Sequence, residues 1–142
     1  MDNFSFFDLR VYKEAKALVI LVYRLMDKFP RNENYALCDQ LRRAVSSIPS
    51  NIAEGSGRTS YKEKIHFIEI AYGSLTETLC QMDIAHDLNY ITDIEFSNIK
   101  EQTTVIAKQL SGLRKSFMEK LAPANRQPLT FITKLGWQYA NR

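Results

Sequence analysis

The chain has 142 residues, of which 45% are hydrophobic, and its formal net charge is +3 at pH 7. This length and apolar content are enough for one domain with a hydrophobic core. The longest apolar run, from Ala17 to Tyr23, is far shorter than the ~20 residues that cross a bilayer. The N-terminal residues lack the basic and apolar regions of a secretory signal. We therefore expect a cytoplasmic protein without a membrane span.

The first predicted helix carries apolar residues at alternating steps of four and three, and Pro30 ends it. These residues are Val11, Ala15, Leu18, Val22, Leu25 and Phe29. A second apolar set widens the buried arc of this helix and comprises Tyr12, Val19, Tyr23 and Met26. Such a helix should contact several neighbours.

The second predicted helix runs from about Asn32 or Glu33 to Glu54. Its apolar face is set by Leu37, Leu41, Val45, Ile48 and Ile52. Pro49 lies inside the helix and should kink it. The sequence Gly55-Ser-Gly57 then allows the chain to turn.

Capping boxes begin the last two predicted helices, at Ser60 with Glu63 and at Thr92 with Glu95. Helix three should extend for about 28 residues, or ~42 Å. Gly73 lies inside it. Because glycine destabilises a helix interior by about 1 kcal/mol relative to alanine, its presence predicts the close approach of another backbone.

Four helices with short connections predict an all-α fold, an antiparallel up-and-down four-helix bundle over residues 1–122. Residues 123–142 are predicted to form a C-terminal tail, docked or flexible. The tail holds no acidic residue but five large apolar ones, namely Phe131, Ile132, Leu135, Trp137 and Tyr139. Since an exposed aromatic tail would favour aggregation, we expect it to pack on its own bundle or on a neighbouring subunit.

Four stretches of the chain carry a family resemblance. They are FFDLRVYKEA near the N-terminus, FPRNENYAL from Phe29, QLRRAVSSIPSNIAEGSGR from Gln40 and FIEIAYGSLTET from Phe67. Together they resemble the four helix bundle protein family, also called the 23S rRNA intervening-sequence protein family, which is named for reading frames inside inserted sequences of bacterial 23S rRNA genes. A related branch is the accessory variability protein of diversity-generating retroelements.

This resemblance implies an all-α bundle that forms a ring-like homo-oligomer, pentameric in relatives, with no known catalysis. In the retroelement branch it also implies binding to nucleic acid, either RNA or DNA, or to a reverse transcriptase.

Charge is unevenly distributed along the chain. Residues 1–64 hold eleven Lys and Arg against eight Asp and Glu, residues 65–101 hold one against seven, and residues 102–142 hold seven against one. One interpretation is that an acidic third helix pairs with basic neighbours inside one subunit. The other is a heterologous interface, in which the acidic face of one subunit meets the basic face of the next and the ring closes.

Two cysteines, Cys38 and Cys80, lie on separate predicted helices without the close pairing of a redox or zinc motif. Free cysteine usually behaves as a small buried hydrophobe. We therefore expect both thiols in the core.

The sequence favours no catalytic or metal site. Carboxylate and imidazole recur three residues apart at Glu63 with His66 and at Asp83 with His86, but both pairs lie on helix three, ~30 Å apart, and cannot converge on one metal. The turn from Gly55 to Arg58 follows a helix and is too short for a phosphate-binding loop. We expect no metal, no cofactor and no catalytic residue.

Two polar residues near the end of helix two are predicted to have a structural role. Asn51 and Glu54 lie one helical turn apart, and a buried carboxylate is normally paired with arginine or with backbone donors. Glu54 should therefore pair with Arg42, Arg43 or Arg58, within a subunit or across an interface.

Basic residues are the candidates for nucleic-acid binding. Arg42, Arg43 and Arg58 are preferred because a guanidinium meets phosphate oxygens in pairs. The supporting lysines and arginines are Lys13, Lys16, Arg24, Lys62, Lys64, Arg114, Lys115 and Lys120. A ring would multiply these contacts.

The alternative is that these arginines form salt bridges with helix three. The protein would then be a scaffold for another protein, for example a reverse transcriptase.

Overall fold

A computed structural model describes residues 4–121, which form four α-helices and two short 3₁₀ turns. The helices are α1 (Arg10–Met26), α2 (Leu37–Ser56), α3 (Tyr61–Asp87) and α4 (Asp93–Glu119), and the turns are Ser5–Asp8 and Arg31–Glu33. None of the described helices is both long and apolar enough to cross a membrane. The predicted tail lies outside the described residues.

The helices form an antiparallel bundle, as predicted. Both α1 and α3 pack against α2 and against α4. Because α1 and α3 are each flanked by the same two helices, they occupy opposite corners of the bundle, and their outer faces point to opposite sides.

The core confirms the apolar face predicted for the first helix. All six residues of that face, from Val11 to Phe29, are buried, and α2 contributes its predicted face from Leu41 to Ile52. Cys38 joins this core, and burial raises the pKa of its thiol. Cys80 is exposed instead, so its predicted burial is wrong.

Helix α2 begins later than the sequence predicted. Residues 31–33 form a separate 3₁₀ turn, and Ala36, with φ −119° and ψ −99°, is not helical. The α-helix therefore starts only at Leu37, and it continues through Pro49 to Ser56. The connection from α1 leaves Tyr35 91% exposed.

Caps at the helix ends largely follow the sequence. Thr92 and Glu95 form a complete capping box, in which each side chain accepts from the other's backbone N–H. At α3, Ser60 accepts from the Glu63 N–H over 3.2 Å. Asn89 ends the α3 region in the left-handed conformation, with φ 61°, which asparagine tolerates better than most residues.

The close approach of a neighbouring backbone that was predicted at Gly73 occurs at Gly55 instead. A Cβ built at Gly73 would have no atom of the described residues within 4 Å, so the predicted close backbone approach is wrong there. A Cβ at Gly55 would lie 2.9 Å from the Phe67 Cβ. The close approach between α2 and α3 is therefore at Gly55.

An ion pair connects the end of α1 to the start of α4. The Lys28 Nζ lies 2.5 Å from the Glu95 Oε1. The hydrogen bonds from Lys28 and from the Thr92 backbone N–H lower the pKa of the Glu95 carboxyl. A lowered pKa adds stability that is present above the unfolded value of about 4.3 and is lost as the pH falls through the folded value.

Replacing Glu95 with glutamine should lower the free energy of unfolding by about 0.5 kcal/mol at pH 7, the size typical of an exposed ion pair. The difference from the wild type should shrink as the pH falls from about 5 through the unfolded value of about 4.3 and further to the lowered folded value, where the wild-type carboxylate takes up a proton. Urea unfolding of both proteins across this range measures the effect. A difference that stays constant with pH would contradict the assigned role of the charge.

Candidate nucleic-acid interface

Cations concentrate at one end of the bundle, formed by the start of α1, the end of α2, the start of α3 and the end of α4. We call this the basic end and take it as residues 5–18, 47–74 and 106–121. It holds ten Lys and Arg against six Asp and Glu, whereas residues 19–46 and 75–105 hold six against nine. The described bundle is therefore polarised along its axis.

Arg58 lies at the basic end, in the turn between α2 and α3. Its guanidinium carbon is 4.8 Å from the centroid of the Phe67 ring, and its Nη2 lies 2.5 Å from the Glu54 Oε1. Lys64 reaches back across the same turn and donates to the Ser56 carbonyl over 3.1 Å. An aromatic face attracts a cation through its quadrupole, so Phe67 helps to hold Arg58 in place.

Lys120 covers a second aromatic group at the basic end. Its Nζ lies 5.4 Å from the centroid of the Tyr61 ring and 5.9 Å from that of Phe117. The two rings are themselves 5.7 Å apart, which joins the start of α3 to the end of α4. The sequence carries no signal for the contact of Lys120 with Tyr61 and Phe117, because it depends on how α3 and α4 pack.

The preferred arginines do not form one patch. Arg43 and Arg58 are 15 residues apart along α2 and the turn that follows, a separation of ~22 Å. Arg42 donates to the Asn34 carbonyl over 3.2 Å and to its Oδ1 over 2.7 Å, and Arg43 pairs with Asp39 at 3.5 Å. Their contacts are local to α2 and the preceding loop, not with α3 as the alternative interpretation supposed.

The lysines named from the sequence fall mostly at the basic end. Lys13 and Lys16 are exposed on the first turns of α1, where the Lys16 Nζ lies 5.7 Å from the Tyr12 ring centroid. Lys62 and Lys115 are also exposed there. Arg24 lies on α1 toward the opposite end.

Arg114 is the clearest correction among the basic candidates. It is only 1% exposed, and its Nε donates to the Glu69 Oε1 over 2.9 Å. A side chain enclosed between α3 and α4 cannot reach a phosphate in this conformation. Arg114 is therefore a structural residue.

Asn51 and Glu54, the two polar residues predicted to have a structural role, make hydrogen bonds with different residues. Asn51 donates from Nδ2 to the Ser47 carbonyl over 2.7 Å and to its Oγ over 2.9 Å. The Ser47 Oγ also accepts from the Ser74 Oγ of α3 over 2.9 Å, so this chain of hydrogen bonds joins the two helices. Glu54 pairs with Arg58, one of the three partners considered, but its side chain is 53% exposed rather than buried.

A histidine lies close to several aspartates at the opposite end. The His86 Nε2 lies 2.6 Å from the Asp93 Oδ1, and its ring stacks on Phe96 with centroids 4.7 Å apart. Asp83, His86 and Asp87 offer ligand atoms within 4.8 Å of one another. The two carboxylates are exposed and adjacent to one another on α3, and clusters of this kind are common without a metal.

Comparison with known proteins identifies related sequences and folds. The model of the family described as 23S rRNA-intervening sequence protein matches residues 7–112. The fold is similar to a crystal structure from the S23 ribosomal protein family of Bacteroides thetaiotaomicron, whose function is described as unknown. The TM-score is 0.68 and the identity 24%, over 74% of this chain and 98% of that chain. No curated protein matches the chain, and neither similarity indicates an enzyme family.

Proposed function

Since the chain belongs to the 23S rRNA-intervening sequence protein family, we propose that it is a cytoplasmic, non-enzymatic accessory protein that binds the phosphate backbone of a nucleic acid through its basic end. The observation that supports this proposal is the concentration of cations there. Arg58 and Lys120 lie over aromatic rings, with Lys62 exposed beside them. Charge at one end, rather than net charge, is what would orient a phosphate backbone on the bundle.

The proposal includes a homo-oligomer, with a pentameric ring as the expected form. One subunit offers few phosphate contacts, and such contacts lose affinity steeply as salt rises. A ring that presents its basic ends on one side would make the contacts multivalent and raise the overall affinity without any new contact. Light scattering on the purified protein measures the number of copies.

Titration of the protein with structured RNA and with duplex DNA across a salt series tests the proposal. The logarithm of the binding constant should fall linearly with the logarithm of the salt concentration, with a slope set by the number of phosphates contacted. Absence of binding at low salt would refute the proposal.

Two matched double variants locate the contact. Lys62→Glu with Lys120→Glu should weaken binding on the order of tenfold or more and reduce the salt slope by about one for each lysine that contacted a phosphate. Arg24→Glu with Arg43→Glu makes the same change in net charge away from the basic end and should have a much smaller effect. Equal losses for the two variants would show that the basic end is not the contact.

A protein scaffold is the second candidate function. A cleft between α1, the following loop and α2 is lined by Tyr23, Tyr35 and Arg42, among others. Tyrosine and arginine are enriched where proteins bind one another. If nucleic acid does not bind, this cleft is the surface with which we would begin a search for a protein partner such as a reverse transcriptase.

A further inference from the structure

Helix α3 carries a second apolar face that points away from the core. Ile70, Gly73, Cys80, Ile84 and Leu88 follow steps of three, four or seven residues and are all exposed. These steps place them on one side of the helix, and we call them the outer stripe. Ile84 and Leu88 are 46% and 49% exposed.

A helix that is apolar on opposite sides is normally covered on both. The core side of α3 is covered by α2 and α4, whereas the outer stripe faces no other described element. Exposed isoleucine and leucine at Ile70, Ile84 and Leu88, on one side of the helix, favour association. The outer stripe is therefore expected to have an occupant.

Charge restricts what that occupant can be. No lysine or arginine occurs between residues 65 and 99. The exposed acidic residues Glu77, Asp83 and Asp87 lie beside or within the outer stripe. The occupant should therefore combine apolar side chains with positive charge.

We propose that the C-terminal segment of the same chain, residues 122–142, docks on the outer stripe of its own α3. This segment has three basic residues, Arg126, Lys134 and Arg142, and no acidic one. Its apolar residues extend from Phe131 to Tyr139. The family model matches residues 7–112, and this segment lies beyond that match.

The geometry of the bundle allows the segment to reach the stripe. Lys120 lies over Tyr61, so the chain leaves α4 beside the start of α3. Leu88 is 27 residues from Tyr61, or ~40 Å along α3. Trp137 is 16 residues beyond Leu121 and can lie up to ~53 Å from it when extended. The apolar part of the segment therefore reaches the whole outer stripe.

Trp137 is the only tryptophan of the chain, so its fluorescence reports on this segment alone. In the full-length protein without nucleic acid, we expect blue-shifted emission and weak quenching by acrylamide. Ile84→Lys should shift the emission to the red and raise the quenching constant several-fold, because it places a buried positive charge against a basic segment. Ile20→Lys is the matched control, since Ile20 is 45% exposed on α1 at the opposite corner, and it should leave the emission unchanged.

Cys80 gives a second readout, because it lies on the stripe whereas Cys38 is buried. Its reaction with a thiol reagent should be several-fold slower in the wild-type chain than in a full-length chain in which Phe131, Leu135 and Trp137 are replaced by serine. The proposal would be overturned if the Trp137 emission in the full chain is that of an exposed tryptophan, or if the Cys80 reaction rates of the two chains are equal. It would also be overturned if Ile20→Lys shifts the Trp137 emission as much as Ile84→Lys does. If the protection of Cys80 and Trp137 disappears on dilution, the segment contacts a neighbouring copy, and this result would also overturn the proposal.

Discussion

Replacing Glu69 with alanine is expected to lower the free energy of unfolding by about 2 kcal/mol, the loss typical when a buried charged group loses one hydrogen-bond partner. Arg114 is almost fully buried, and its Nε donates to the Glu69 carboxylate. A guanidinium does not lose its proton at ordinary pH. The substitution therefore leaves a charge in the interior without this carboxylate.

Replacing Arg114 with methionine should have a smaller effect. The Glu69 side chain is 22% exposed, so its carboxylate can be hydrated once the arginine is gone. Methionine adapts to irregular space and can fill much of the vacated volume. The double variant Glu69→Gln with Arg114→Met should lie within about 1 kcal/mol of the wild type, since buried pairs can often be exchanged for apolar groups at little loss.

Urea unfolding of the three variants distinguishes charge from packing. If both single variants lower the free energy of unfolding equally, the destabilisation comes from lost packing of the arginine side chain and not from the loss of its charge partner. If the double variant is as unstable as Glu69→Ala, the pair is not replaceable by apolar packing.

Local signals in the sequence were enough to predict the bundle. The seam of α1 follows from its apolar spacing, and the start of α4 follows from the Thr92 and Glu95 box. Both depend on residues within one or two turns of each other. The start of α2 does not follow from the sequence, because the polar stretch before Leu37 fits a helix and a 3₁₀ turn equally well.

Burial was harder to predict where a helix has more than one apolar face. Cys80 fits a helical spacing, but that spacing belongs to the outer stripe of α3. The charge of Arg114 predicts a surface position, although the residue lies four residues from both Leu110 and Met118, which are buried. In a 27-residue helix, the buried face follows the 3.6-residue helical period and gradually departs from a strict seven-residue apolar repeat. This departure places Arg114 on the buried face.

The candidate interface was predictable in composition but not in arrangement. The sequence named Arg58, Lys62 and Lys120, and all three lie at the basic end. The distance between Arg43 and Arg58 could have been read from their spacing on a helix, but the contacts of Arg58 with Phe67 and of Lys120 with Tyr61 could not. Those contacts exist only after α2, α3 and α4 have packed.

Replacing Gly55 with alanine is expected to destabilise the bundle by about 2 kcal/mol, a typical effect of overpacking. The added Cβ would lie 2.9 Å from the Phe67 Cβ and 3.6 Å from the Lys64 carbonyl oxygen. A Cβ atom is fixed to the backbone and cannot rotate away. The packing of α2 against α3 must therefore loosen, and this also moves Phe67 relative to Arg58.

Replacing Gly73 with alanine is the matched control and should stabilise the protein by about 0.5 to 1 kcal/mol. Its Cβ would meet no atom of residues 4–121 within 4 Å, so within the described bundle only the helix propensity changes. Neither glycine has a positive φ, so alanine fits both backbone conformations. Thermal unfolding of the two variants should therefore shift in opposite directions. Stabilisation by both would mean that α2 and α3 can separate at Gly55 without loss, and the close packing would then not hold Phe67 beneath Arg58.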